Sequence, residues 1–232
     1  MRIDEMTSPE VKKLFSKGIA LIPIGATEQH GPHLPMGTDT FYAEYITNKI
    51  GKELKLPVLP SVSFSVSGYN FPYPTITIEP ETITKYLNDI CKSLKFHDVD
   101  KIFFIVGHGG ENCAALETAA YIIARDNDVK IKIFYPWQFL PKELYKKMDD
   151  DWHAGFIETS EMLYLKPKLV KKKHIRKSSV PDYMKFIIDY KKTKEDQRQG
   201  VFGDPSNANS NIGKNNFKII IESMIKEIKK LI

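Results

Sequence analysis

Apolar positions along the chain follow two periods. From Ile19 to Ile24 the run is almost unbroken, the pattern of a strand covered on both faces. Lys101 to Val106 (KIFFIV) repeats it, and residues 129–135 alternate before turning apolar, which predicts another strand. Residues 56–62 form a shorter apolar piece with two prolines, and residues 75–78 (TITI) read as a short strand. Between these lie helical patterns. Thr7-Ser8-Pro9-Glu10 is a capped start for a helix with Val11, Leu14 and Phe15 on one side, and Gly18 stops it. Thr38-Asp39 opens a second helix, with Phe41, Tyr45, Ile46 and Ile50 at helical spacing. Residues 79–94 place Ile83, Leu87, Ile90 and Leu94 together, and residues 113–126 are rich in Ala and Ile. Residues 137–151 read as partly helical, a helix follows the polar cluster at 152–160 as far as Leu165, residues 197–216 read as a long loop, and 217–232 as an amphipathic closing helix.

Strands alternating with helices predict an α/β layered sandwich with a mainly parallel central sheet flanked by helices. No linker divides the chain, so a single domain over residues 1–232 is expected. In such sheets ligands sit beyond the carboxyl ends of the strands. Two polar glycine loops follow strands directly: Gly25 to Asp39, and Gly107 to Asn112. They are expected to converge at one sheet edge.

Composition narrows the function classes. With 232 residues and 42% apolar content the chain can bury a sizeable core. A net charge of +5 is mild, and only residues 166–177 (KPKLVKKKHIRK) are densely basic, which reads as a solvated surface segment. No nucleic-acid partner is expected. Cys91 and Cys113 form no CxxC pair, so a reducing, cytoplasmic setting is expected. No leader and no apolar run of roughly 18 residues appears, so no membrane partner is expected.

The chemistry concentrates in the first loop, IPIGATEQHGPHLPMGTDT, which carries Glu28, His30, His33 and Asp39. Buried charge must be paired, metal-bound or neutralised, so four such groups at a strand end need a partner. Glu28 and His30 point the same way in extended chain, Asp39 sits at a helix mouth, and His108 comes from the neighbouring strand end. Two carboxylates and two imidazoles suit Zn²⁺, Mn²⁺ or Fe²⁺ rather than a thiolate site. A shared aspartate can bridge two ions about 3.5–4 Å apart, which makes hydroxide available near neutral pH. His33 is assigned a supporting role. His153 and Glu158 form a second tier: a proton shuttle, and a further ligand or base, a role for which Glu111 competes. No P-loop, dinucleotide fingerprint or GxSxG elbow is present.

The segment GATEQHGPHLPMGTDT resembles the signature of the creatininase (creatinine amidohydrolase) family, and the likeness runs on through FPYPTITIEPETI, IFFIVGHGGEN, HAGFIETSEML and GVFGDPSNANSNIGK. The resemblance implies a creatininase-like fold, two divalent metal ions, and hydrolysis of a cyclic or linear amide C–N bond by metal-bound hydroxide. It implies a small-molecule amide substrate and a homo-oligomer, often a hexamer. It carries Glu28, His30, Asp39 and His108 over as metal ligands, with Asp39 bridging, and puts His153 at the catalytic histidine. Glu158 is favoured as the last ligand, with Glu111 kept open for that position and otherwise expected to be catalytic. The sequence departs from the family at Val106 and Glu111 in the VGHGGE segment, at Tyr73 and Pro74 in FPYPT, and at Phe156, all around the expected pocket. Tyr69, Phe71, Tyr73 and Trp152 are accordingly expected to meet the substrate. A non-peptide amide of cyclic or formamide type is the expected substrate. The alternatives are a peptide in cofactor maturation, or a non-catalytic metal-binding assembly protein.

Overall fold

The computed structural model describes residues 1–70, 73–141, 143, 151, 153–178 and 200–232. Among these residues three strands, β1 (Ile19–Ile24), β2 (Lys101–Val106) and β3 (Lys130–Phe134), form a parallel sheet in the order β1-β2-β3. Ile24 lies opposite Val106, and Ile105 opposite Phe134, so the strands end level with one another. Residues 56–62 run along the outer side of β1 through parallel bridges at Val58 and Val62. They do not make a regular strand, because Pro57 and Pro60 have no N–H to donate to a ladder. The strand expected at 75–78 is only an antiparallel bridge between Thr27 and Ile76. There the Thr77 hydroxyl takes the Ser67 N–H at 2.9 Å, so a side chain replaces the ladder.

Among the described residues six helices surround the sheet: α1 (Ser8–Phe15), α2 (Thr38–Leu54), α3 (Pro80–Phe96), α4 (Glu111–Asn127), α5 (Phe156–Leu165) and α6 (Ser210–Lys229). Strand alternation sorts the core into two layers. Ala20, Ile22, Ile24, Ile102, Phe104 and Val106 pack on Ile83, Leu87 and Leu94 of α3 and Leu116, Ala119 and Ile123 of α4. Leu21, Phe103, Ile105 and Phe134 pack on Ile46 and Ile50 of α2 and Phe217, Ile220 and Met224 of α6. The result is the expected α/β sandwich.

Helix α6 corrects the expected boundary, since it begins at Ser210 rather than 217. Asn209 caps it by accepting the N–H groups of Asn211 and Ile212 at 3.2 Å each. Gly213 and Asn216 of its polar opening turns are buried against α5, while Ser210, Asn211, Lys214 and Asn215 stay exposed. A Cβ on Gly213 would lie 2.1 Å from the Ser160 carbonyl oxygen, and the Asn216 amide donates to Glu161 at 3.3 Å. Of the partly helical segment expected at 137–151, Pro136–Phe139 is a short 3₁₀ turn, and most of the remainder lies outside the described residues. No helix among the described residues is long and apolar enough to cross a membrane.

Candidate metal centre

The level strand ends bring the two glycine loops together. Gly107 N–H donates to the Ile24 carbonyl at 2.7 Å, and Gly25 N–H to that of Val62 at 2.8 Å. The first turn of α2 sits directly over this junction. A Cβ on Gly25 would fall 2.4 Å from Thr40 Cα, and one on Gly107 2.2 Å from the Asp39 carbonyl oxygen. Only glycine permits this approach, and the approach puts Asp39 between the loop after β1 and the loop after β2.

Asp39 reaches both sides. Its Oδ1 lies 3.0 Å from His30 Nε2, and its Oδ2 3.1 Å from His108 Nδ1. Glu28 Oε1 is 3.3 Å from His108 Nδ1, 3.6 Å from His153 Nδ1 and 4.0 Å from His30 Nε2. Glu158 Oε2 is 3.8 Å from His30 Nε2. Three groups of donor atoms therefore converge: Glu28 with Asp39 and His108, His30 with Asp39 and Glu158, and Glu28 with His30 and His153. Glu28, His30 and Asp39 are at most 2% exposed.

Each histidine at the centre has one ring nitrogen committed to a backbone carbonyl. His30 Nδ1 faces the Glu28 carbonyl at 3.2 Å, His108 Nε2 that of Val66 at 2.9 Å, and His153 Nε2 that of Gln29 at 2.7 Å. A carbonyl only accepts, so those nitrogens carry the protons. In the neutral rings the other nitrogens present lone pairs toward carboxylates, acceptor against acceptor. His30 Nε2 and Asp39 Oδ2 are correspondingly buried without a hydrogen-bond partner. The carboxylates are oriented in turn: Ser67 Oγ and Asn70 Nδ2 (2.8 Å) donate to Glu28 Oε2, leaving Oε1 for the centre, and Ala154 N–H donates to Glu158 Oε2 at 2.5 Å. A cation between the facing acceptors satisfies this donor set, and fixed ring orientation is how outer hydrogen bonds prepare metal-binding histidines.

In the protein alone, protons do part of that work. Burial opposes charge on His30, but Asp39, Glu158 and Glu28 together outweigh it and raise the ring to about 10. His108 is likewise raised despite burial, chiefly by Glu28 and Asp39. Burial would raise Glu28, yet His108 and its neighbours hold it well below the usual carboxylate range. Burial lifts Glu158 to about 7, and burial together with His30 lowers His153 to about 4.

The outer residues are built around the same point. His33, buried, pairs through Nε2 with Thr159 Oγ1 at 2.8 Å and belongs to none of the three groups. Glu111 also stands outside them: its Oε1 accepts the Tyr69 N–H at 2.8 Å, and burial pushes its carboxyl up. His153 is held by antiparallel pairing with Phe202, followed by Ala154 in the left-handed region at φ 51°. Asp151 caps α5, accepting from Phe156 N–H at 2.6 Å and Ile157 N–H at 3.0 Å. A cavity of about 410 Å³ opens beside the centre, lined by Asp39, His153 and Glu158 and running back to Tyr42, Glu161 and Phe217. Tyr69 and Tyr73 are half-buried but do not line it, while Phe71 and Trp152 lie outside the described residues. Sequence reading missed Ser67, Asn70, Asp151 and Glu161. Only Glu161 left a signal, a second acid in α5, three residues after Glu158 in a largely apolar helix.

Fold and centre together define a layered α/β scaffold with a candidate metal centre at the carboxyl ends of its strands. Residues 4–228 match the family model described as creatininase, creatinine amidohydrolase, and the chain belongs to that family of hydrolases. The mycofactocin precursor peptide peptidase of Mycolicibacterium smegmatis is 26% identical over 221 residues, spanning 91% of this chain and 85% of that protein. The creatinine amidohydrolase of Pseudomonas putida is 25% identical over 217 residues, spanning 82% of this chain and 83% of that protein. A crystal structure of creatinine amidohydrolase (creatininase) shares the fold with a TM-score of 0.86 at 22% identity, covering 99% of this chain and 96% of that one.

Proposed function

We propose that the protein is a two-metal amidohydrolase acting on the C–N bond of a small-molecule amide of cyclic or formamide type. The reading rests above all on the buried acceptor-against-acceptor contacts around Asp39, which two shared cations would relieve. Glu28, Asp39 and His108 would hold one ion, and His30, Asp39 and Glu158 the other, with Asp39 common to both. Two divalent ions of the Zn²⁺, Mn²⁺ or Fe²⁺ kind supply a polarised carbonyl and a water whose pKa falls toward about 7.

The chain's own residues do the rest. Ser67 and Asn70 keep Glu28 turned inward, and the Val66 and Glu28 carbonyls keep His108 and His30 from rotating. His153 has Nδ1 facing the centre and Nε2–H anchored on the Gln29 carbonyl, so a proton taken on Nδ1 can pass to a leaving nitrogen. A ring held mostly neutral by burial suits that role. Glu111 acts through Tyr69, whose backbone it fixes. The cavity is of a size for small ligands.

A second reading, a short peptide as substrate, is favoured by the 26% identity to a peptide peptidase. The proposal includes the homo-oligomeric state implied by the resemblance. The test is metal analysis of unstripped protein, followed by hydrolysis assays on cyclic ureides, creatinine, formamides and short peptides with each metal. Two equivalents per chain, lost in His30→Ala, are expected. Less than one equivalent, unchanged by His30→Ala, would sink the reading, and turnover of peptides alone would select the second one.

A further inference from the structure

The face of α5 that carries Glu158 to the centre carries another carboxyl that the proposed reaction leaves unused. Ile157, Glu158, Glu161 and Met162 all line the cavity, as residues one turn apart on one helix face must. Glu161 is only 4% exposed. Its Oε1 accepts the Asn216 amide at 3.3 Å, and its Oε2 accepts no hydrogen bond from the described residues. The side-chain Oδ1 of Asn216, a residue itself 1% exposed, also lacks a donor.

The surroundings offer Glu161 no counter-charge. Tyr42, Met162 and Phe217 wall this end of the cavity, and neither lysine nor arginine is among the described residues lining it. Helices α5 and α6 cannot slide to cover the carboxyl, because the Gly213 backbone already rests against the Ser160 carbonyl. A buried carboxylate is stable only when paired or well hydrogen-bonded. Burial pushes the Glu161 carboxyl well above the usual carboxylate range, and a cation entering the cavity is the partner that would restore its charge.

We infer that Glu161 is a specificity residue that anchors a positively charged nitrogen, an ammonium or amidinium group, on the part of the substrate remote from the bond being broken. Three residues separate it from Glu158, about 4.5 Å of helix rise. The substrate is thus a small amide whose cationic head lies one helical turn from its reacting end, with an apolar span against Tyr42 and Phe217. The inference rests on the reading of Glu158 as the reacting end.

The test uses the full chain loaded with Zn²⁺ at pH 7, with n-butylammonium and its neutral counterpart n-butanol as probes in ligand-observed NMR titrations. Wild type is expected to bind the ammonium at least ten-fold more tightly. E161Q, which keeps the size and the Asn216 hydrogen bond, is expected to abolish that preference with metal content unchanged. Equal binding of the two probes by wild type overturns the inference, and does so even if E161Q fails to fold. A preference that survives in E161Q overturns it equally, by assigning the cation to another acid. Failure of the two-metal reading appears separately, in the metal content of wild type.

Discussion

Gly107→Ala tests how the centre is assembled without touching a candidate ligand's side chain. The added methyl would lie 2.2 Å from the Asp39 carbonyl oxygen and 3.1 Å from Ala43 Cβ. The carbonyl must retreat by about 0.8 Å to reach 3.0 Å, below which real Cβ contacts are essentially never found. It belongs to the first turn of α2 and is backbone, so no side-chain rotation relieves the clash. Overpacking of this kind costs about 1–3 kcal/mol. At roughly 2–4 °C per kcal/mol for a chain of this size, the melting temperature should fall by about 2–12 °C. Asp39 moves with its backbone, which disturbs its contacts at 3.0 and 3.1 Å to His30 and His108. Disturbing the support of a ligand typically weakens metal binding about 10–100-fold. Gly109→Ala is the control, because its methyl meets nothing closer than Trp137 at 4.0 Å. Metal content after dialysis against graded chelator, together with thermal unfolding, reads both effects. If Gly107→Ala holds metal and melts as Gly109→Ala does, close packing of α2 on β2 does not position Asp39.

Metal loading at pH 7.5 should release about two protons per chain, because His30 and His108 have raised affinities that a metal on the same lone pairs displaces; an indicator-dye titration showing no release contradicts this. Chelator-stripped protein should lose thermal stability as pH rises from about 6.5 toward 10. The raised His30 stabilises fully below its unfolded value and loses that contribution as pH passes about 10, while the lowered His153 and His33 are neutral in the folded state throughout and in the unfolded state once pH is well above 6.5. Metal-loaded protein should show no such slope. His153→Gln should lower kcat on whichever amide the substrate panel identifies by about 10²–10⁴, with metal content unchanged, and loss of the metal instead would make His153 a ligand. Asn209→Ala should cost about 0.5–2 kcal/mol in denaturant unfolding through the lost cap on α6 and leave metal content alone.

The strands and the helices at their ends were legible because each carries its own period. Ile19 to Ile24 and Lys101 to Val106 are apolar on both faces, and helices cover both. The convergence of Glu28, His30, Asp39 and His108 was legible for a topological reason, since parallel strands that end level must bring their following loops to one edge. What failed to read was anything decided by a partner distant in sequence. Asn209 to Asn216 has loop composition, and it becomes helix because α5 supplies a surface for Gly213 and Asn216. Thr75 to Ile78 has strand composition, and it stays irregular because the Thr77 hydroxyl intercepts the Ser67 N–H.

The same rule separates the two halves of the site. Residues that hold cations were visible, because carboxylates and imidazoles at strand ends are costly without a reason to be there. Residues that orient them, Ser67 and Asn70 on Glu28, are ordinary loop residues until the fold brings them within hydrogen-bond reach across some 40 positions. Glu161 lies between these cases. Its charge is as costly as that of Glu28, but it sits mid-helix rather than at a strand end, where an acid reads as a solvated face. Only the packing of α6 over α5 turns that face inward, and the carboxyl then borders the cavity with Asn216 as its one described donor. The catalytic half of such a site is thus written in local sequence, and the half that chooses the substrate is written in how helices pack.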